Sequence, residues 1–241
     1  MSIIDCPLAF ITVSDKLSEL ESKIGFVFKD KNLLLTALTH RSYLNENTSW
    51  KLDHNERLEF LGDAVLELVV TEHLYKNYPN PEGEMTNWRA ALVNANMLSK
   101  TTGEFDLNEY ILLSRGEAKD TGRARQYILA NAIEALIGAI YLDGGYEPCD
   151  QFIKKFVLKE LPMIIEKRLY RDAKSLFQEM AQDKVGITPT YEVLEEWGPD
   201  HARNFKVGVF LEKELIGTGK GPSKQEAQQQ AAEDALAKKN W

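Results

Sequence analysis

Cysteine is scarce in this 241-residue chain, and net positive charge is absent. Its only cysteines, Cys6 and Cys149, are far apart and outside any ligand spacing. That excludes a disulfide framework and a cysteine zinc site, and a reduced, cytoplasmic protein is the simplest reading. No His/Cys constellation suits zinc, and no glycine-rich loop is built to cradle phosphate. No uninterrupted apolar run approaches the roughly 20 residues of a membrane span, so no membrane role is expected. The N-terminus carries Asp5 and lacks a basic opening, unlike a signal peptide. The formal net charge is −8, which by itself argues against nucleic acid as a partner, because phosphate contacts call for Lys and Arg. Any such surface must be a local patch. Carboxylates clustered around divalent cations are a second possible source of the acidity.

With 44% hydrophobic and 27% charged residues, the chain can bury a core. The first two-thirds reads as helices. Ser14 is placed to cap a helix carrying Leu17, Leu20 and Ile24 and ending at Gly25. Asp30 is placed to cap a helix with Leu33, Leu34, Ala37 and Leu38 on one side. Further helical patterns run from about Asn55 to Asn77, stopping before Pro79, from Thr86 to Thr101, and from Gln126 to Leu142, ending at Gly144-Gly145. A last one opens around Pro148 and reaches about Lys167. After Tyr170 the pattern changes to a helix with Leu176, Phe177 and Met180. Three strands follow at TYEVLEE, NFKVGVFL and ELIGTG, then a helix capped by Ser223. Phe205, Val207, Val209 and Leu211 alternate as a half-buried strand requires, and Gly198-Pro199-Asp200 marks the first turn. The order is that of a small α+β domain.

NERLEFLGDAVLEL, from Asn55 to Leu68, is the most informative segment. Glu56, Glu59 and Asp63 share a helix face, while Leu58, Leu61, Val65 and Leu66 form the opposite, core face. From this helix alone, a plain solvated acidic face is an equal reading. The helix from Ile128 to Gly145 shifts the balance. It is apolar almost throughout, yet carries Asn131 and Glu134, and a buried Glu is costly without a partner or metal. Packed against the first helix, it brings Glu134 towards Glu59 and Asp63. Carboxylates with an amide oxygen are hard ligands suited to Mg²⁺ or Mn²⁺.

NERLEFLGDAVL resembles the signature of the ribonuclease III nuclease domain. TALTHRSY (Thr36 to Tyr43), PEGEMTNWRAALVNANML (Pro81 to Leu98) and EALIGAIYLDGG (Glu134 to Gly145) follow in that family's order. The last domain resembles its double-stranded-RNA-binding module. The resemblance implies an all-α nuclease domain over 14–167 and an α-β-β-β-α RNA-binding domain over 171–241. It implies a Mg²⁺-dependent endoribonuclease, with Mn²⁺ able to substitute and no small-molecule cofactor. Such an enzyme works as a homodimer on double-stranded RNA in processing and maturation of rRNA and mRNA. Glu59, Asp63 and Glu134 match the metal-binding and catalytic carboxylates. Glu56 and Glu82 match peripheral acidic positions serving substrate or a second metal, and Phe60 an aromatic that docks into the partner subunit. Asn131 stands where the family motif has Asp. It keeps a coordinating oxygen and loses a charge, which leaves a non-cleaving RNA-binding protein as the alternative.

From Tyr170 onward ten basic residues face twelve acidic ones, a net −2 and a poor binder by bulk charge. The pattern is better than the sum. Lys220 and Lys224 flank the start of the last helix, where free N–H groups and the dipole favour phosphate. The resemblance makes that a phosphate contact, with Gln225 replacing its usual second lysine. It also assigns Gln178, Glu179 and Gln182 to a minor-groove contact and His201, in the loop after Pro199, to a neighbouring groove. Such modules read A-form shape and 2′-hydroxyls. His40 is expected to play a structural hydrogen-bonding role, and Trp88 to be core or interface.

Overall fold

The computed structural model describes residues 13–170, 172–199 and 203–241. It divides into two compact units, Met1–Lys167 and Arg168–Trp241.

The first unit is helical. α1 (Val13–Ile24) starts one residue ahead of Ser14 and buries Leu17, Leu20 and Ile24. It ends at Gly25, whose φ of +80° suits glycine. α2 (Lys31–Leu38) is capped by Asp30, whose carboxylate accepts from the Asn32 N–H. α3 (Arg41–Glu46) is capped by His40, which sits between two helices rather than within one. His40 Nδ1 accepts from the Ser42 N–H at 3.3 Å, and Ser42 Oγ accepts from the Ser114 N–H at 3.1 Å. The structural role expected of His40 is therefore a cap.

α4 (Glu56–Asn77) runs as the pattern predicts and stops before Pro79. The single helix expected over 86–101 is two, α5 (Glu82–Val93) and α6 (Ala95–Thr102). Asn94 makes the break. Its amide donates to the Ala91 carbonyl at 2.9 Å, and its side-chain oxygen accepts from the Met97 N–H at 3.0 Å. One side chain thus ends one helix and caps the next. Trp88 is core, at 4% exposure.

α7 (Arg123–Gly144) is the central element of this unit. It is the one helix among the described residues apolar and long enough to cross a membrane by length and composition. Ten of its residues between Ile128 and Ile140 are buried, packed among α2, α4, α6 and α8 (Tyr146–Phe156). The helix expected to reach Lys167 also breaks. α8 ends at Phe156, a single 3-10 turn spans Leu158–Glu160, and Pro162 opens α9 (Leu161–Glu166). Proline lacks an N–H, so it favours a helix start over an interior.

The second unit has the expected order: α10 (Ala173–Val185), β1 (Thr190–Trp197), β2 (Asn204–Leu211), β3 (Glu214–Gly221) and α11 (Lys224–Lys239). The antiparallel sheet is ordered β1-β2-β3. Val207, Val209 and Leu211 face a core shared with Phe177, Ala227, Ala231 and Ala235. β3 brings glycine to that face at every second residue. A Cβ on Gly217 or Gly219 would lie within 2.4 Å of the α11 backbone at Ala231, so helix and strand meet almost without side chains. Ser223 caps α11 by accepting from the Glu226 N–H.

Candidate active site and nucleic-acid interface

The first site is built where α4 crosses α7. A Cβ on Gly62 would lie 1.7 Å from the Glu134 carbonyl oxygen, and one on Gly138 2.2 Å from that of Leu58. The two backbones are therefore in direct contact, which only paired glycines permit. On α4, Glu59 and Asp63 flank Gly62. On α7, Asn131 and Glu134 lie two turns and one turn before Gly138, on the same face. The crossing brings the four side chains together.

Electrostatics reports their closeness. Burial, followed by the Asp63 and Glu59 carboxylates, pushes the Glu134 carboxyl up to about 8. Burial, followed by Glu56 and Asp63, raises Glu59 above the usual carboxylate range, while a hydrogen bond from Asn131 acts against the rise. Every charge acting on these two groups is another carboxylate. Among the described residues, no three Asp, Glu, His or Cys side chains stand together closely enough to hold a metal ion by themselves. What the crossing provides is three carboxylates and an amide oxygen with no cation beside them. That donor set is hard, oxygen-only and electron-rich, and it fits a divalent cation such as Mg²⁺.

The other predicted residues divide. Glu56 couples to Glu59 but is also engaged by Arg41, at 3.3 Å. Glu82 opens α5, where its carboxylate accepts from the Thr86 hydroxyl at 3.0 Å. It is not among the charges acting on Glu59 or Glu134, so the structure does not bring it into the cluster. Phe60, next to Glu59, is 82% exposed, so it is not a core residue of this unit. Gly62 and Gly138 are the residues sequence reasoning left out. Their signal was present: an isolated glycine inside a helix costs about 1 kcal/mol against alanine and usually marks a close approach.

In the second unit, Gln178, Glu179 and Gln182 are exposed and line one shallow depression on α10 with Ser175 and Asp183. His201 lies outside the described residues. The local charge pattern accounts for how an acidic unit can present positive charge. Lys206 is taken by Glu195 and Arg203 by Glu196, each at 2.6 Å, and Lys238 by Asp234 at 2.7 Å. Lys220 and Lys224 have no ion pair among the described residues. Each rests on an aromatic ring, Lys220 over Trp197 at 6.0 Å and Lys224 over Phe205 at 5.6 Å.

A helical unit with carboxylates clustered across a glycine crossing, joined to an α-β-β-β-α unit with four lysines held on aromatic rings, defines a nuclease-like domain followed by a nucleic-acid-binding module. Comparison with known proteins agrees. Residues 30–161 match the family model described as ribonuclease-III-like, and residues 173–239 match the double-stranded RNA binding motif. The chain belongs to the ribonuclease III family. It is 46% identical over 222 residues to ribonuclease 3 of a Nitratiruptor species, covering 92% of this chain and 96% of that one. It is likewise 46% identical over 222 residues to ribonuclease 3 of Borreliella afzelii, covering 92% and 90%. Among solved structures, the nuclease domain of ribonuclease III from Campylobacter jejuni matches 61% of this chain and 99% of its own. It does so at 42% identity and a TM-score of 0.54, in a study of flexibility in its dimer-forming region.

Proposed function

We propose that this protein is a homodimeric, Mg²⁺-dependent endoribonuclease acting on double-stranded RNA. Its products carry 5′-phosphate and 3′-hydroxyl ends with a short 3′ overhang, and its role is cytoplasmic processing and maturation of rRNA and mRNA. The observation that carries this reading is the α4–α7 crossing, which gathers Glu59, Asp63, Asn131 and Glu134 around uncompensated negative charge.

Glu59, Asp63 and Glu134 hold the cation, with the Asn131 carbonyl oxygen as a neutral fourth donor. Mn²⁺ can take the same place. Bound there, the ion supplies activated water and neutralises charge developing on the scissile phosphate. The Asn131 amide acts on Glu59 and lowers its carboxyl, which supports a shared site for the two side chains. Glu56 and Glu82 serve RNA or a second ion at the margin. Lys220 and Lys224 contact phosphates, and the α10 face and the His201 loop follow successive minor grooves. Phe60 buries itself in a second copy of the chain across a two-fold axis, which the Campylobacter relative's dimer-forming region supports. Phe60→Ala should then raise the dimer dissociation constant in sedimentation measurements, and an unchanged constant refutes that interface.

Incubation of the pure protein with long duplex RNA tests the activity. Cleavage is expected with Mg²⁺ and none with a chelator. Glu134→Gln should lower the rate by at least about 10²-fold while leaving duplex affinity near that of the native protein, since it removes charge at the reacting centre. Binding without cleavage at every Mg²⁺ and Mn²⁺ concentration would instead favour a protein that only holds RNA, the reading Asn131 keeps open.

A further inference from the structure

The sheet of the second unit carries an unusual pairing on the face away from its helices. Lys206 on β2 and Lys220 on β3 are direct cross-strand partners. Like charges in that position repel. The neighbouring strand resolves the conflict twice. Glu195 of β1, in register with Lys206, takes the Lys206 ammonium. Trp197, two residues further along β1, lies under the ammonium of Lys220. Glu195 also feels Lys220 through space, but Lys206 dominates it.

We propose that Trp197 is a positioning residue for RNA binding. Its indole face holds Lys220 in the orientation that meets a phosphate. This rests on the reading that Lys220 contacts RNA. A carboxylate in that place would fix the lysine equally well but cancel its charge. An indole fixes it and leaves the charge intact, because the ring offers only its quadrupole. The ammonium has three N–H donors, so it can keep the ring on one side and donate to a phosphate oxygen on the other. The long lysine stem loses rotamer freedom on binding, and a shelf that restricts it beforehand lowers that cost. Trp197 is 43% exposed, so the indole is open to solvent where it supports the lysine.

Trp197→Leu keeps an apolar strand residue and removes the shelf. The test is a double-mutant cycle with Lys220→Ala, measured as duplex-RNA affinity across a range of salt. Trp197→Leu alone should weaken binding about two- to five-fold, the range for an exposed cation–π contact. In the Lys220→Ala background the same change should have no further effect, a non-additivity that a general loss of sheet stability would not produce. Trp197→Phe, which keeps a ring, should recover part of the loss. If Lys220→Ala itself leaves affinity and salt slope unchanged, the phosphate-contact reading fails. If it weakens binding while Trp197→Leu does not, the positioning role alone fails. An equal loss from Trp197→Leu with and without Lys220 would mean that the indole acts independently of the lysine, and would overturn the proposal.

Discussion

The two units place charge in opposite ways. In the first, like charges are gathered at the half-buried margin of a helix crossing: Glu134 sits on a helix whose neighbouring positions are almost all buried, and only other carboxylates act on it. In the second, opposite charges pair over an exposed surface, and Lys220 and Lys224 are set apart from that pairing on aromatic rings. Neither arrangement is visible in a charge sum. The whole chain at −8 and the stretch from Tyr170 onward at −2 look equally unsuited to RNA. What matters is which charges are left uncompensated, and where.

The comparison breaks most violently at the α4–α7 crossing. Gly62→Ala puts a methyl 1.7 Å from a backbone oxygen, and no rotamer can relieve that contact. Helices α4 and α7 must separate, with an expected loss of about 3 kcal/mol or more, at the upper end for overpacking. Urea unfolding followed by circular dichroism checks it. A change under about 1 kcal/mol would mean that the crossing is looser than described.

A subtler change sharpens the contrast. Asn131→Asp removes the hydrogen-bond donor from Glu59 and adds a further like charge. The metal-free protein should become less stable, while the Mg²⁺ needed for half-maximal cleavage falls several-fold, because affinity follows ligand charge. Thermal melts with and without Mg²⁺ should therefore move in opposite directions. Identical Mg²⁺ titrations for both proteins would place residue 131 away from the cation.

On the other side, Lys220→Ala with Lys224→Ala should weaken duplex binding and flatten the dependence of log affinity on log salt by about two units or less, one per lost phosphate contact. An unchanged slope removes both lysines from the interface.

The smallest expected effect concerns His40, which belongs to neither site. Burial holds its imidazole below the usual value of 6.5, and its Nδ1 is the acceptor that caps α3. Proton uptake therefore favours the unfolded chain. Stability from this group is fully present above about pH 6.5 and is lost as pH falls through the depressed folded value. His40→Asn keeps a capping acceptor and should reduce the acid-side slope of stability. A slope identical to the native one would exclude His40 as its source.

Much of this was legible in the sequence, for identifiable reasons. Glu59, Asp63 and Glu134 stood out because carboxylates at helical spacing, one of them in an apolar helix, conflict with ordinary folding. The caps at Asp30 and Ser223 were readable from local chemistry. The break at Asn94 was not, because hydrophobic periodicity runs through a residue that can serve two helices at once. The break after Phe156 was hidden similarly, since the pattern continues to Lys167 and only the backbone changes course. Glu82 illustrates the opposite limit. A motif match gave it a peripheral acidic position, and no spacing rule says how far α5 lies from α7. Trp197 escaped notice because its partner is two strands away.

One consequence of the paired glycines reaches beyond the site. With no side chain at Gly62 or Gly138, the gap between α4 and α7 is set by main chain against main chain. Rotamers do not enter that dimension. Conservative changes at buried Ile133 or Leu136 can therefore alter how soft or heat-resistant the domain is without moving Glu59 relative to Glu134. Melting temperature and carboxylate spacing become separate properties. A lineage adapting to a colder or hotter habitat can retune the first by exchanging core side chains and leave the second as it is.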